Sequence, residues 1–237
     1  MIKIRNVCKA FETSEGLNHA LKDVSLEIKD GSCVVIGGEN GSGKSVLMSI
    51  IAGLEEADSG RVECSSRAGL VFQEAETQIL GETPREDISF GPKNLGWNQK
   101  KVEAAVNSAL EKTGLTAKKE FPARFLSGGE KRRLAVACMI AMDLNIIIMD
   151  EPYANLDFGG VKQVNGLINS LKKEGKTIII LTHEIEKCLG LADQFVVLFR
   201  GEKVFDGAPD AGLKKDLEQW NIRNPLVSYS KVKDLVW

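Results

Sequence analysis

The chain has 237 residues, 43% hydrophobic and 27% charged, with a net charge of −2. That length supports one large core, or a core with a smaller lobe, and the charge argues against a chain whose main business is coating nucleic acid. No run approaches the ~20 apolar residues of a bilayer crossing, the N-terminus lacks a signal-peptide shape, and five scattered cysteines without metal-ligand spacing read as reduced thiols of a cytosolic chain.

In chain order, residues 1–8 and 21–29 alternate polar and apolar. They predict an antiparallel pair, joined by a loop over 13–18 and laid against the next strand. Val34-Val35-Ile36 is that strand, β-branched and buried. It runs into Gly37-Gly38-Glu39-Asn40-Gly41-Ser42-Gly43-Lys44-Ser45, after which Val46, Leu47, Ile50 and Ile51 recur at helical spacing until Gly53. Strand, glycine loop and helix in this register make a P-loop. Where Cβ atoms are missing, successive backbone N–H groups can close on a phosphate, and the helix starts with its positive end toward the same anion. Asn40 through Val46 thus form the predicted triphosphate cradle, with Lys44 on the β/γ-phosphates and the Ser45 hydroxyl on Mg²⁺.

Residues 57–60 read as a turn, and 61–64 and 68–72 as strands. From 73 to 126 the strand signal vanishes; 101–110 carries Val102, Val106, Ala109 and Leu110 on one helical face, so this block is a helical insertion. Leu126-Ser127-Gly128-Gly129-Glu130 offers a capping serine and two glycines that leave helical N–H groups open to an anion. A helix over 133–142 and a strand over 145–149 follow. That strand, Ile146-Ile147-Ile148-Met149, ends in Asp150-Glu151, which places two carboxylates where α/β folds bind ligands. Asp150 fits a Mg²⁺ ligand opposite Ser45, and Glu151 the base for an attacking water. Asp157 caps a helix closed by Gly175; then come strand 177–181, helix 184–191, strand 194–199, and a hairpin at Gly201 into 203–205. Residues 210–237 read as a short helix and tail, in which Trp220 and Trp237 read as packed on their own domain. Strands alternating with helices predict an α/β fold with a mostly parallel sheet covered on both faces.

A glycine-rich capping loop between a P-loop and such an acidic strand end resembles the ATP-binding-cassette (ABC) family, whose signature motif is Leu126 to Glu130. The resemblance covers about residues 1–207, with six motifs in the family's order. It implies an ABC ATPase architecture with an N-terminal antiparallel β subdomain and a helical insertion. The boundaries it suggests are a single domain over 1–209, with core 1–73 and 143–209 and helical lobe 74–142, then a tail over 210–237. It implies ATP hydrolysis with Mg²⁺. Gln73 matches a loop glutamine that contacts Mg²⁺ and water and couples to a transport partner. Asn155-Leu156-Asp157 matches a loop facing an opposing subunit. His183 matches a histidine that contacts the γ-phosphate. Phe11 falls where an aromatic, usually tyrosine, lies under adenine. Ser127 and Gly129 would read the γ-phosphate held by another subunit, so the active unit is a head-to-tail dimer of identical or paralogous chains.

Gln73 through Gln78-Ile79-Leu80, and Glu86 through Gly96 including Phe90-Gly91-Pro92, look like the ATPase component of energy-coupling factor importers of vitamins or of transition-metal ions such as cobalt and nickel. Taken alone, Phe90-Gly91-Pro92 is a simple turn. By this likeness Gln73 and Gln78 face integral membrane subunits, the chain sits peripherally on the cytoplasmic face of a membrane, and no nucleic acid is bound. The alternatives are the ATPase of another ABC transporter, a soluble ABC ATPase, a scaffold with a decayed site or a small-molecule kinase. Many such importer ATPases carry a longer C-terminal helical extension that joins two subunits. This sequence ends at Trp237, which leaves that contact without its usual element and fits a shorter-tailed branch.

Overall fold

Three apolar runs set the centre of the molecule. Cys33–Gly37 (β3), Ile146–Asp150 (β6) and Thr177–Leu181 (β7) are buried along nearly their whole length, and strands apolar on both faces must be covered on both. In the computed structural model, which describes residues 1–14 and 16–226, they occupy the middle of a six-stranded sheet. Its order is β5-β6-β7-β3-β8-β9, with β5 at Ala68–Val71, β8 at Gln194–Phe199 and β9 at Glu202–Gly207. The first five are parallel and only β9 is antiparallel.

Alternation along each strand sorts the side chains into two cores. Val35, Ile147, Met149, Ile178, Ile180, Phe195 and Val197 face α5 (Phe158–Lys173). Val34, Ile36, Ile146, Ile148, Ile179 and Leu181 face α1 (Lys44–Ile51) and a second sheet. That sheet contains Ile2–Thr13 (β1), Gly16–Ile28 (β2) and Ser59–Cys64 (β4), antiparallel in the order β2-β1-β4. The expected N-terminal pair is therefore longer than its alternation indicates. It pairs with β4, and its apolar face shares one core with α1 and with Val34 and Ile36 of the P-loop strand.

The insertion is helical. Pro84–Asn94 (α2), Gln99–Lys112 (α3) and the start of Gly128–Ala141 (α4) enclose Ile88, Val102, Val106, Leu110 and Leu134. Phe90-Gly91-Pro92 lies inside α2, where Pro92 has no N–H to give to the carbonyl one turn back. Helix α4 begins five residues before the expected 133, fixed by a capping box. Ser127 Oγ accepts from Glu130 N at 3.3 Å, and Glu130 Oε2 accepts from Ser127 N at 2.9 Å.

One element departs in kind: 184–191 forms two short 3₁₀ turns, Ile185–Lys187 and Leu189–Leu191. Cys188, at φ −142°, breaks the helical run between them. Past β9 come a four-residue helix, Pro209–Gly212 (α6), and a 3₁₀ turn ending at Trp220, which packs on the α5-side core. The rest of the tail from 227, Trp237 included, lies outside the described residues.

Candidate functional site

Four neighbouring parallel strands, β5, β6, β7 and β3, release their chains at the same edge of the sheet, where open α/β sheets bind ligands. Two glycines of the loop after β3 make room for close packing. Gly38 has φ 153°, and a Cβ on it would lie 2.3 Å from Leu198 O; on Gly43, at φ 98°, it would lie 2.4 Å from Ala20 O. A Cβ on Gly41 would meet nothing within 4 Å. The loop is thus clamped on its protein side and open on the other. Gly201, in the β8–β9 turn, braces it by donating its N–H to Ser42 O at 3.1 Å.

Beside it lies a cleft of about 240 Å³ that gathers Phe11, Asn40, Gly41, Gly43, Lys44, Ser45, Val46, Gln73, Asp150 and Glu151. Ser42 is buried in the loop, its hydroxyl without a hydrogen-bond partner. A larger cleft, about 440 Å³, lies between residues 76–83 and 122–131. The smaller one is the candidate, because lysine, hydroxyl and carboxylates converge on it.

Lys44 is 6% exposed and donates to Gly38 O at 2.8 Å and Glu39 O at 2.9 Å. Burial pulls its ammonium pKa down, against the opposing pull of Glu151, Asp150 and Glu39. Ser45 Oγ donates to Asp150 Oδ2 at 2.8 Å, joining the start of α1 to the end of β6. Burial raises the Asp150 pKa; the Ser45 bond opposes this and the Glu151 charge adds to it. Gln73 is exposed.

Glu151 is buried and sits at φ 45°, a left-handed conformation that a non-glycine residue adopts at a cost. Both its oxygens are engaged: Thr182 Oγ1 donates to Oε2 at 2.9 Å, and His183 approaches Oε1 through its backbone N–H at 3.1 Å and through Nδ1 at 2.8 Å. The carboxylate is thereby aimed from β7 as well as from β6. Nothing in the apolar pattern signals this turn, and Thr182, between a strand and a histidine, carries no sequence mark of its role.

His183 is tied to Glu151 but does not line the cleft, and neither do Ser127 and Gly129. Ser127 is exposed. Asn155, also left-handed at φ 58°, is exposed, and Asp157 caps α5 by accepting from Gly160 N at 2.7 Å. Gln78 is anchored within the chain: its Nε2 donates to Leu70 O and its Oε1 accepts from Phe72 N, both at 2.8 Å. It borders an open groove with Leu80, Phe90 and Leu95.

A parallel sheet with a P-loop on its central strand, a serine–aspartate pair beneath the phosphate cradle and a buried glutamate beyond it defines a P-loop nucleotide triphosphatase. Comparison with known proteins narrows the class. Residues 21–154 match the family model described as ABC transporter. The energy-coupling factor transporter ATP-binding protein EcfA of Carboxydothermus hydrogenoformans is 37% identical over 89% of this chain and 83% of its own length. Among solved structures, cbiO1 from Clostridium perfringens, part of the ABC transporter complex cbiONQ, superposes with a TM-score of 0.81 at 31% identity, covering 94% of this chain and 95% of that one. A dimeric ATP-binding cassette in a post-hydrolysis state, bound to ADP and Pi, gives a TM-score of 0.80 at 27% identity, covering 88% and 99%. The chain belongs to the ABC transporter family and is an ATP-hydrolysing, ATP-binding subunit.

Proposed function

We propose that this subunit powers an importer of the energy-coupling factor type, for a vitamin or a transition-metal ion, from the cytoplasmic face of the membrane. The carrying observation is the single cleft in which Lys44, the Ser45–Asp150 pair, Gln73 and Glu151 meet. Lys44 exchanges its loop carbonyls for the β/γ-phosphates. Oxygen donors suit Mg²⁺, so Ser45 and Asp150, with Gln73 beside them, are its proposed holders, and a bound ion would supply charge neutralisation for the triphosphate. Glu151, held by Thr182 and His183, takes the proton of the attacking water, and His183 contacts the γ-phosphate. Phe11 lies under the adenine.

The cleft holds about 240 Å³, and Ser127 and Gly129 do not line it. This supports a head-to-tail pair in which each signature serine completes the partner's site, and γ-phosphate contacts to both halves close the dimer. Among the described residues no helix is long and apolar enough to cross a membrane, so transport falls to integral partner subunits. They dock near Gln73 and Gln78, where Leu80, Phe90 and Leu95 stand exposed around the groove. The EcfA and cbiO1 likenesses support this importer type over others in the family.

Glu151→Gln tests the reading. A general base supplies roughly 10²–10⁴ in rate, so turnover should fall by at least about a hundredfold with ATP binding kept. Size-exclusion in ATP and Mg²⁺ should then show a trapped dimer that chelation of Mg²⁺ dissolves. A monomer at saturating ATP overturns the shared site.

A further inference from the structure

The first turns of α4 carry a cation that the site above does not use. Arg132 is 7% exposed and has no carboxylate partner among the described residues. Its Nη1 donates to Ala154 O at 3.0 Å and its Nη2 to Gln73 O at 3.2 Å, while Nε is buried without a partner. Burial draws its pKa below the usual arginine range. A methionine would fill much the same space without desolvating a charge, so packing does not account for the guanidinium. The two carbonyls do.

They belong to separate loops of the ATP site. Gln73 follows β5. Ala154 lies between Glu151 and Asp157, and its own N–H donates to Glu151 O at 3.2 Å. A planar fork holds two acceptors at a fixed separation, which a flexible ammonium cannot do. Two neighbouring contacts run the same way: Lys131 pairs with Glu76 at 2.8 Å, and a Cβ on Gly129 would lie 3.3 Å from Leu156 Cδ2. Arg133, one residue on, faces elsewhere, toward Thr113 O and Gln163.

We infer that Arg132 is a positioning residue for ATP hydrolysis, its guanidinium tying the helix that carries Ser127–Gly129 to the two loops that set Gln73 and Glu151. Any shift of the signature segment then reaches both loops together. This rests on the roles proposed for Gln73 and Glu151, and it adds a route between the segment facing a partner subunit and the chemistry.

The test compares Arg132→Met with Arg133→Met by steady-state ATPase kinetics and by amide hydrogen exchange on the nucleotide-free chain. Misplacement of catalytic groups by a fraction of an ångström to an ångström costs up to about a hundredfold. Arg132→Met should therefore lower kcat about tenfold or more, with KM for ATP within about twofold. Exchange should rise in the segments around 73 and 154 together, while Arg133→Met changes neither quantity. Arg132→Lys, which keeps the charge and donors but loses the fixed fork, should lose less kcat and loosen both loops less than Arg132→Met, and it carries the test if the methionine variant does not fold. An unchanged kcat, or exchange that rises evenly across the helical lobe with a lower Tm, overturns the inference. Because exchange is read without nucleotide or dimer, a monomeric Glu151→Gln chain would refute the shared site and leave this result standing.

Discussion

Gly38 and Gly41 stand three residues apart in one loop, both at positive φ, and their surroundings separate two uses of glycine. At 38 the missing Cβ makes room for Leu198 O; at 41 it leaves a surface open to the cleft. Gly38→Ala combines backbone strain with a clash against main chain, and should destabilise the fold by about 2–6 kcal/mol. Gly41→Ala carries only the strain, about 1–2 kcal/mol, and its main effect should be weaker ATP binding. Thermal melting and nucleotide titration of the pair check this; equal melting losses would refute the distinction. The motif spelling reveals that glycines are needed, but not which ones face protein and which face ligand. Glu151 makes the same point. Its place after Asp150 is readable, whereas its left-handed backbone and the grip of Thr182 and His183 depend on β7 lying beside β6.

At the scale of elements, apolar runs were the dependable signal. Strands β3, β6 and β7 were legible almost to the residue, since a strand buried on both faces admits hardly any polar residue. Ile148 in β6 is fully buried against α1 and the antiparallel sheet. Ile148→Ala should cost about 2–5 kcal/mol, or roughly 4–20 °C in Tm at this size, with kcat near that of the parent well below the melting point. A comparable melting loss accompanied by a collapsed kcat would mean that the strand end carrying Asp150 had shifted. The short elements were less legible. Residues 184–191 have helical spacing, yet packing of Ile185 and Leu189 onto the sheet resolves them into two turns. The N-terminal strands and β4 were legible as strands, but the pairing of β1 with β4 was not, because pairing across some sixty residues leaves no local pattern.

For the whole molecule, function is carried at an electrostatic cost. Asp150 is raised above the ordinary aspartate value of 3.8, first by burial and further by Glu151. As pH rises through the window between 3.8 and that higher value, the unfolded chain releases its proton first and so binds fewer protons than the native one. Stability from this group is present below the window and lost above it. Asp150→Asn keeps the volume and an acceptor for Ser45 while removing the charge. At neutral pH and without nucleotide it should melt higher than the parent, with the gap closing as pH falls toward 3.8, and it should have no ATPase activity. A lower Tm at neutral pH would show that the carboxylate stabilises the empty site instead.

The sequence by itself determined the P-loop, the acidic strand end, the signature cap and the alternation of strands and helices. Each is a local pattern, in which neighbours along the chain are also neighbours in chemistry. Only the tertiary structure decided that the N-terminal strands form a second sheet with β4, that Gln78 spends its amide on β5, that Glu151 is aimed by Thr182 and His183, and that Arg132 spans two loops. Apart from those of Gln78, which reach back six and eight residues, those contacts join residues far apart in sequence, and it is the packing of the sheet edges and of α4 that brings them within hydrogen-bonding distance.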